Sequence, residues 1–484
     1  MAILKEILEG LNFEIIQGNL NNTVLSVEFD SRKVKNDSLF VAVKGTQTDG
    51  HKFINQTIEN GAKHIICSTT PEKLIKDINY LKVKDSSLAL AIAIANFYDN
   101  PSRKLILVGV TGTNGKTTVA TLLHSLFQNL GYKSALFSTI KIKIGEEEKE
   151  ATHTTPDSLQ LNKLFAEMID KGCKYCFMEV SSHAIVQNRV AGLDFNGGIF
   201  TNITHDHLDY HKSFDNYINA KKLFFDSLQE KAFALVNSDD VHSKVMLQNT
   251  NANKKTYALK NAADFKAKIL ESDFSGIHLK IDNNDFYTDK IGKFNAYNLM
   301  AVYGVATLLG ISADDSLKVL SSPINVEGRF EILRNSKGVI GIIDYAHTPD
   351  ALKNVLETIY AVNNKKHKIF TVFGCGGNRD KEKRPIMGQI SANYSDTSVI
   401  TSDNPRFEDF NEILIDIEKG LNEEQMKKSI TISDREQAIK TASKMAQEGD
   451  IILVAGKGHE KYQDIKGEKF PFDDKEKLNK YLNL

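Results

Sequence analysis

Residues 105–131 read LILVGVTGTNGKTTVATLLHSLFQNLG. An unalternated apolar run, LILVGV, reads as a buried strand, and TVATLLHSLFQNLG reads as a helix with apolar residues at helical spacing, stopped by Gly131. Between them lies Thr111-Gly112-Thr113-Asn114-Gly115-Lys116-Thr117-Thr118. A glycine-rich turn from a strand into a helix suits phosphate capture. The glycines let backbone N–H groups converge on oxygens, the helix start adds a favourable dipole, and Lys116 adds a point charge. Thr117 is placed to ligate Mg²⁺. The usual pattern has a glycine five residues before that of the Gly-Lys pair, where this chain has Val110, so the loop is a variant. A turn that merely caps a helix would not need the Lys-Thr pair in this order.

Further apolar runs follow at 134–140, 175–180, 197–203 and 231–237, separated by helix-length segments. Strands without polar alternation belong to a sheet covered on both faces, which defines an α/β class. Residues 1–100 make a smaller α/β pattern, with strands at SVEFD, LFVAVKG and HIICS, and an apolar helix leading to Asn100-Pro101-Ser102, where a boundary is expected. Shorter alternating runs occupy 257–300, and a second boundary is expected near 324–335. Beyond it, GVIGIID, KIFTVFG, TSVIT and IILVAG repeat the pattern and open into DYAHTPDAL, GCGGNRDKEKRP, SDNPRFED and GKGHEKYQD. Loops at the carboxyl ends of parallel strands are where such sheets bind ligands.

The whole chain has 484 residues, 41% hydrophobic and 25% charged, with Lys+Arg 61 against Asp+Glu 62. A net charge of −1 provides no global field for nucleic acid or an anionic membrane, so any anion needs a local site. Residues 1–30 lack the pattern of a secretion signal and no apolar stretch reaches a membrane span, so a cytoplasmic protein is expected. The four cysteines (67, 173, 176, 375) are read as buried thiols; Cys173 and Cys176 form a lone CxxC. Glu179 ends a strand near the phosphate loop and could reach its metal. His205, Asp206, His207, Asp209 and His211 place five possible ligands in seven positions, with a metal site and hydrogen-bonded loop formers both open as readings.

GTNGKTT at 112–118, EVSSHA at 179–184, NITHDHLDYH at 202–211, FNAYN at 294–298, EGRFE at 327–331 and DYAHTPDAL at 344–352 together resemble the Mur ligase family, across essentially the whole chain. Folylpolyglutamate synthetases share the loop and plan, but not the substrate-binding segments. The resemblance implies an N-terminal UDP-substrate domain (1–101), a central ATP-binding domain with a P-loop parallel sheet (102–329) and a Rossmann-like amino-acid domain (330–484). It implies ATP contacts from Gly112, Thr113, Asn114, Gly115, Lys116, Thr117, Thr118, Asn295, Arg329 and His347. Mg²⁺ would be held by Thr117, Glu179, His207 and Lys221, the last as a carbamate; Lys116, Lys221, His207 and Glu179 form the implied catalytic set.

Asp30-Ser31-Arg32, the segment 153–156 and the segment 181–189 are similar to those of the family's tripeptide synthetases. Ser31 would then bind the UDP part, and Thr154, Thr155, Ser181, Gln187 and Arg189 the muramoyl dipeptide, UDP-N-acetylmuramoyl-L-alanyl-D-glutamate. Asp403-Asn404-Pro405-Arg406 is similar to the form that adds meso-diaminopimelate; lysine-adding relatives depart at the arginine. A guanidinium fork suits the distal carboxylate that lysine lacks. Arg379, Gly456 and Glu460 resemble the other amino-acid contacts, with Glu460 on the distal ammonium. The expected activity is ATP-driven amide formation through an acyl phosphate in peptidoglycan precursor synthesis, by a monomer. A lysine-adding enzyme and a nucleotide-dependent switch are the alternatives.

Overall fold

The computed structural model describes residues 1–45 and 48–483, which build three sheets of more than two strands. In the N-terminal part the strands lie in the order Phe13–Gln17, Asn79–Val83, Ala62–Cys67, Ser38–Val41, Ser26–Glu28, all parallel except for the first. The helix Ser86–Phe97 covers one face, burying Ala89, Leu90, Ala93 and Ile94 among Leu39, Val41 and Leu81. Asp85 caps this helix by accepting from the backbone N–H groups of Ser87 and Leu88.

An eleven-stranded sheet forms the middle of the molecule. Its centre runs Ser134–Phe137, Tyr175–Glu179, Ile106–Thr111, Gly197–Phe200, Phe233–Asn237, Asn253–Ala258, all parallel. The first five are the apolar runs of the sequence, and buried clusters on both faces explain why they lack polar alternation; Asn253–Ala258, half exposed, is the polar exception. Both edges differ from the parallel sheet expected: Lys141–Ile144 with Glu147–Glu150 on one side, and Gly276–Ile281 with Asn284–Thr288 on the other, are antiparallel hairpins. Lys141 and Lys143 both pair with Glu148 across the first hairpin, a charged edge that discourages further strand pairing.

The last sheet has the order Glu331–Arg334, Ile340–Asp344, Ile451–Ala455, Ile369–Phe373, Thr397–Ile400, Ser429–Thr431, parallel apart from its first strand. Its loops at the carboxyl ends face the same region as the phosphate loop, since Asn114 Nδ2 donates to Asp350 Oδ2 at 2.8 Å. All four cysteines are buried and free. No helix among the described residues is long and apolar enough to cross a membrane.

Arg435 and Asp474 are fully buried and bind each other through two contacts of 2.7 Å. The same guanidinium donates to Ala455 O at 2.9 Å, tying two helices to the strand end just before Gly456. Removing one member of such a pair strands the other charge, so Arg435→Met is expected to cost about 3–5 kcal/mol. Denaturant unfolding followed by circular dichroism should show this loss, with much of it recovered in the double variant Arg435→Met/Asp474→Leu.

Candidate active site

The loop after strand Ile106–Thr111 is held from several sides. Thr113 N–H donates to Asn202 O at 2.8 Å, Asn114 N–H to Asn202 Oδ1 at 3.0 Å, and Thr201 Oγ1 to Asn114 O at 2.7 Å. Gly112 has φ +149 and a Cβ there would lie 1.9 Å from Thr201 Oγ1, so no other residue fits. The helix Lys116–Asn129 starts directly after Gly115, whose φ of 88 places it in the left-handed region. Lys116 folds back over the loop, donating to Gly112 O at 2.9 Å and Thr113 O at 2.8 Å. Thr118 follows it in the first helical turn.

Thr117 Oγ1 donates to Glu179 Oε1 at 2.8 Å, and Thr139 donates to both carboxylate oxygens, from N–H at 2.6 Å and from Oγ1 at 3.2 Å. Arg329 Nη2 donates to Thr117 Oγ1 at 3.2 Å while its guanidinium lies 4.3 Å from the centre of the Tyr345 ring. A hydroxyl and a carboxylate in contact are the hard oxygen donors that Mg²⁺ prefers.

Lys221, on the helix Phe214–Asp226, is 1% exposed, and its ammonium also donates to Gly112 O, at 2.9 Å. Burial first, and the charge of Lys116 second, push its pKa well below that of an ordinary lysine. His207 takes the left-handed conformation, φ 55, and lies 4.9 Å from His183 ring to ring. Burial lowers its pKa to about 4, against the opposing charge of Asp206. Of the other histidines of the run, His205 stacks on Phe214 at 4.5 Å, while His211 pairs with Ser182 Oγ at 2.9 Å and, like His207, lies against the His183 ring, at 5.6 Å. Among the described residues, no three His, Cys, Asp or Glu side chains form a metal-binding cluster.

These groups line a cavity of about 820 Å³ whose other wall comes from the C-terminal part. Asn295, Arg329 and His347 all line it. Asn295 Nδ2 donates to Ile291 O at 2.9 Å, and His347 Nδ1 pairs with Tyr345 O at 2.8 Å. Burial brings the His347 pKa down to about 4. Asp350 joins the two walls, accepting from Asn114 Nδ2 and, at 3.1 Å, from Thr204 Oγ1.

Thr154, Thr155, Ser181, Gln187 and Arg189 form one connected polar patch beside the cavity. The Thr154 and Thr139 hydroxyls pair at 3.1 Å, Thr155 Oγ1 donates to Glu179 O at 2.8 Å, and Ser181 N–H donates to Thr155 Oγ1 at 3.1 Å. Arg189 donates to Thr155 O at 2.9 Å and grips Gln187 Oε1 at 3.0 and 2.6 Å. Thr154 and Ser181 line the cavity itself. Ser31 does not: it begins a short 3₁₀ turn in the N-terminal part, with Asn60 Nδ2 donating to its carbonyl at 3.3 Å. The N-terminal part meets the patch where Ser87 Oγ donates to Gln187 O at 2.9 Å.

The remaining residues form a second centre outside that cavity. Asp403 Oδ1 accepts from Asn404 N–H at 2.7 Å, while Oδ2 is buried without a hydrogen-bond partner, beside Gly456. A Cβ on Gly456, φ +115, would lie 2.6 Å from that oxygen. Asn404 Nδ2 donates to Glu460 Oε2 at 2.8 Å. Pro405 leads into Arg406, whose φ of 51 is held by exchange with the 464–466 segment: Arg406 N–H donates to Asp464 O at 3.0 Å and Lys466 N–H to Arg406 O at 2.7 Å. Arg406 Nη1 donates to Gly377 O at 2.8 Å, and Arg379 is exposed on the neighbouring loop. The buried Arg384 braces both loops, donating to Glu408 at 2.9 Å and Gly376 O at 3.3 Å.

Several participants escaped the reading of the sequence: Thr139, Tyr345, Asp350, Lys457 and Asp464. Tyr345, Asp350, Lys457 and Asp464 sit inside quoted motifs and could have been suspected there; Thr139 carries no local signal.

Comparison with known proteins extends across the chain. Residues 23–98 match the Mur ligase family catalytic domain, 110–306 the Mur ligase middle domain and 328–458 the Mur ligase glutamate ligase domain. A UDP-N-acetylmuramoyl-L-alanyl-D-glutamate–2,6-diaminopimelate ligase of Phocaeicola vulgatus is 53% identical, with 98% of each chain covered. One of the same name from Bacteroides fragilis is 52% identical, with 99% of each covered. A solved structure of a ligase with this name superposes with a TM-score of 0.72 at 30% identity, covering 99% of this chain and 98% of the other. With three family domains in order and relatives this similar along their whole length, the chain belongs to the Mur ligase family.

Proposed function

We propose that this chain is a cytoplasmic, monomeric ATP-dependent ligase that joins meso-2,6-diaminopimelate to UDP-N-acetylmuramoyl-L-alanyl-D-glutamate in peptidoglycan precursor synthesis. The observation that carries this reading is 53% identity over 98% of both chains to a relative named for that reaction. The segment Asp403-Asn404-Pro405-Arg406, placed beside Glu460, supports it chemically.

ATP would bind in the 820 Å³ cavity with its phosphates in the 112–118 loop. Lys116 would exchange its two carbonyl contacts for phosphate oxygens, and the helix N-terminus would add its dipole. Asn295, Arg329 and His347 would contact the nucleotide from the opposite wall. Thr117 and Glu179 would hold Mg²⁺, with His207 and carbamylated Lys221 helping to hold a second ion; bound there, Mg²⁺ supplies charge neutralisation for phosphoryl transfer. His207 is ready as a neutral imidazole because burial keeps it unprotonated. Lys221 fits carbamylation for the same reason: burial favours the neutral amine, the form that attacks CO₂.

The side-chain carboxylate of the D-glutamyl residue would be positioned by Thr154, Thr155, Ser181, Gln187 and Arg189, with the UDP end near Ser31. Its oxygen attacks the γ-phosphorus, the bond to ADP breaks, and an acyl phosphate forms. The amine of diaminopimelate then attacks the acyl carbon; the tetrahedral intermediate loses phosphate and a proton and becomes the amide. Lys116 and Arg329 offset the charge gathered between the two anions. Enclosure between the two walls excludes water that would hydrolyse the acyl phosphate. Arg379, Asp403, Asn404, Pro405, Arg406, Gly456 and Glu460 would seat the amino acid, Arg406 on the distal carboxylate and Glu460 on the distal ammonium.

Incubation with ATP, Mg²⁺, the UDP-dipeptide and either diaminopimelate or lysine, followed by mass spectrometry, should yield the diaminopimelate amide; a lysine product, or ATP hydrolysis indifferent to both amino acids, would refute the reading. Arg406→Ala removes a charge-assisted contact, so KM for diaminopimelate should rise roughly 10- to 100-fold with KM for ATP unchanged. With ¹³C-bicarbonate, the wild-type protein should show a carbamate carbon signal that Lys221→Arg lacks; equal signals from both would remove the modification from Lys221.

A further inference from the structure

The second centre contains a lysine that the proposed reaction does not use. Lys457 has no exposed surface, and its ammonium has two oxygen partners, Asn404 Oδ1 at 2.9 Å and Glu460 Oε2 at 3.2 Å. Its placement is fixed by the glycines on either side. Gly456 has φ +115 and Gly458 φ +54; a Cβ on Gly458 would meet Gly328 O and Tyr345 Cβ, each at 2.8 Å. The side chain also passes the Tyr462 ring, 5.5 Å from its centre.

Those contacts determine the orientation of Asn404. Lysine can only donate, and so can the backbone N–H of Asp464, which meets the same atom at 2.9 Å. The atom facing both must therefore be Oδ1, which turns Nδ2 toward Glu460 Oε2. Glu460 Oε2 thus receives two donors, from Asn404 and Lys457. The other oxygen, Oε1, faces Tyr345, whose hydroxyl lies 3.5 Å away and whose ring borders the nucleotide cavity.

We propose that Lys457 is a positioning residue for the amino-acid substrate: by occupying Asn404 Oδ1 and Glu460 Oε2 it leaves Glu460 Oε1 as the oxygen that receives the substrate's ammonium group. The inference rests on the reading of this centre as the amino-acid site. A buried cation on Glu460 Oε2 also offsets the charge of that carboxylate away from water. Lysine at this position acts through Asn404 and Glu460, without touching the reacting atoms.

Lys457→Met keeps the aliphatic stem beside Tyr462 and removes the ammonium. KM for diaminopimelate should rise at least tenfold, with kcat within threefold of wild type and KM for ATP and the UDP-dipeptide unchanged. An unchanged KM for diaminopimelate in the folded variant would overturn the proposal, as would an equal rise for all three substrates. A crystal structure of the wild-type protein with diaminopimelate gives a check independent of the variant's folding. It should show an ammonium nitrogen on Glu460 Oε1 with Lys457 still on Oε2, and a substrate ammonium on Oε2 with Lys457 displaced would refute it. If wild-type turnover requires a different amino acid, the substrate assignment fails by itself, and the same measurements with that amino acid decide the role of Lys457.

Discussion

Two lysine ammonium groups share one backbone carbonyl, that of Gly112, at 2.9 Å each. Like charges brought together away from water repel and lose hydration, so the arrangement is costly without an anion. Both lysines accordingly have depressed pKa values, with burial as the leading cause. The phosphate loop, the helix behind it and the helix carrying Lys221 are all committed to this point. A polyanion relieves the tension for Lys116, and loss of a proton relieves it for Lys221. The same local physics thus fits the roles proposed for them, phosphate binding for Lys116 and carbamylation for Lys221.

The two polar centres are separate in space but share a wall. Tyr345 lies against Arg329 at 4.3 Å and His459 at 5.0 Å, and reaches Glu460 with its hydroxyl. Arg329 in turn touches Thr117. A chain of contacts therefore runs from the first turn of the phosphate helix to the carboxylate at the second centre. Lys383, next to the loop-bracing Arg384, donates to His347 O at 2.8 Å and adds a second tie between the sides.

Legibility followed burial. The central strands are covered on both faces, so their apolar runs announced them, and the phosphate loop combines its signals within eight residues. The edge hairpin Lys141–Ile144/Glu147–Glu150 was not legible, because an edge open to water reads as polar sequence. The histidine-rich run suggested more convergence than exists. His205 packs on Phe214, whereas His207 and His211 both lie against His183 and only His211 reaches Ser182.

The sequence by itself determined the α/β class, the phosphate loop, the covered strands and, through ordered motifs, the family. Each of these depends on neighbours within a few turns of chain or on the period of apolar residues. Tertiary structure alone decided which distant groups meet: Lys221 reaches a carbonyl 109 positions away, Arg329 a hydroxyl 212 away, and Lys457 an amide 53 away. Such contacts follow from strand order and the way the sheets face one another, which no local pattern encodes. A lysine between two glycines looks the same in one dimension whether it ends in water or, as Lys457 does, beneath a carboxylate with no exposure at all.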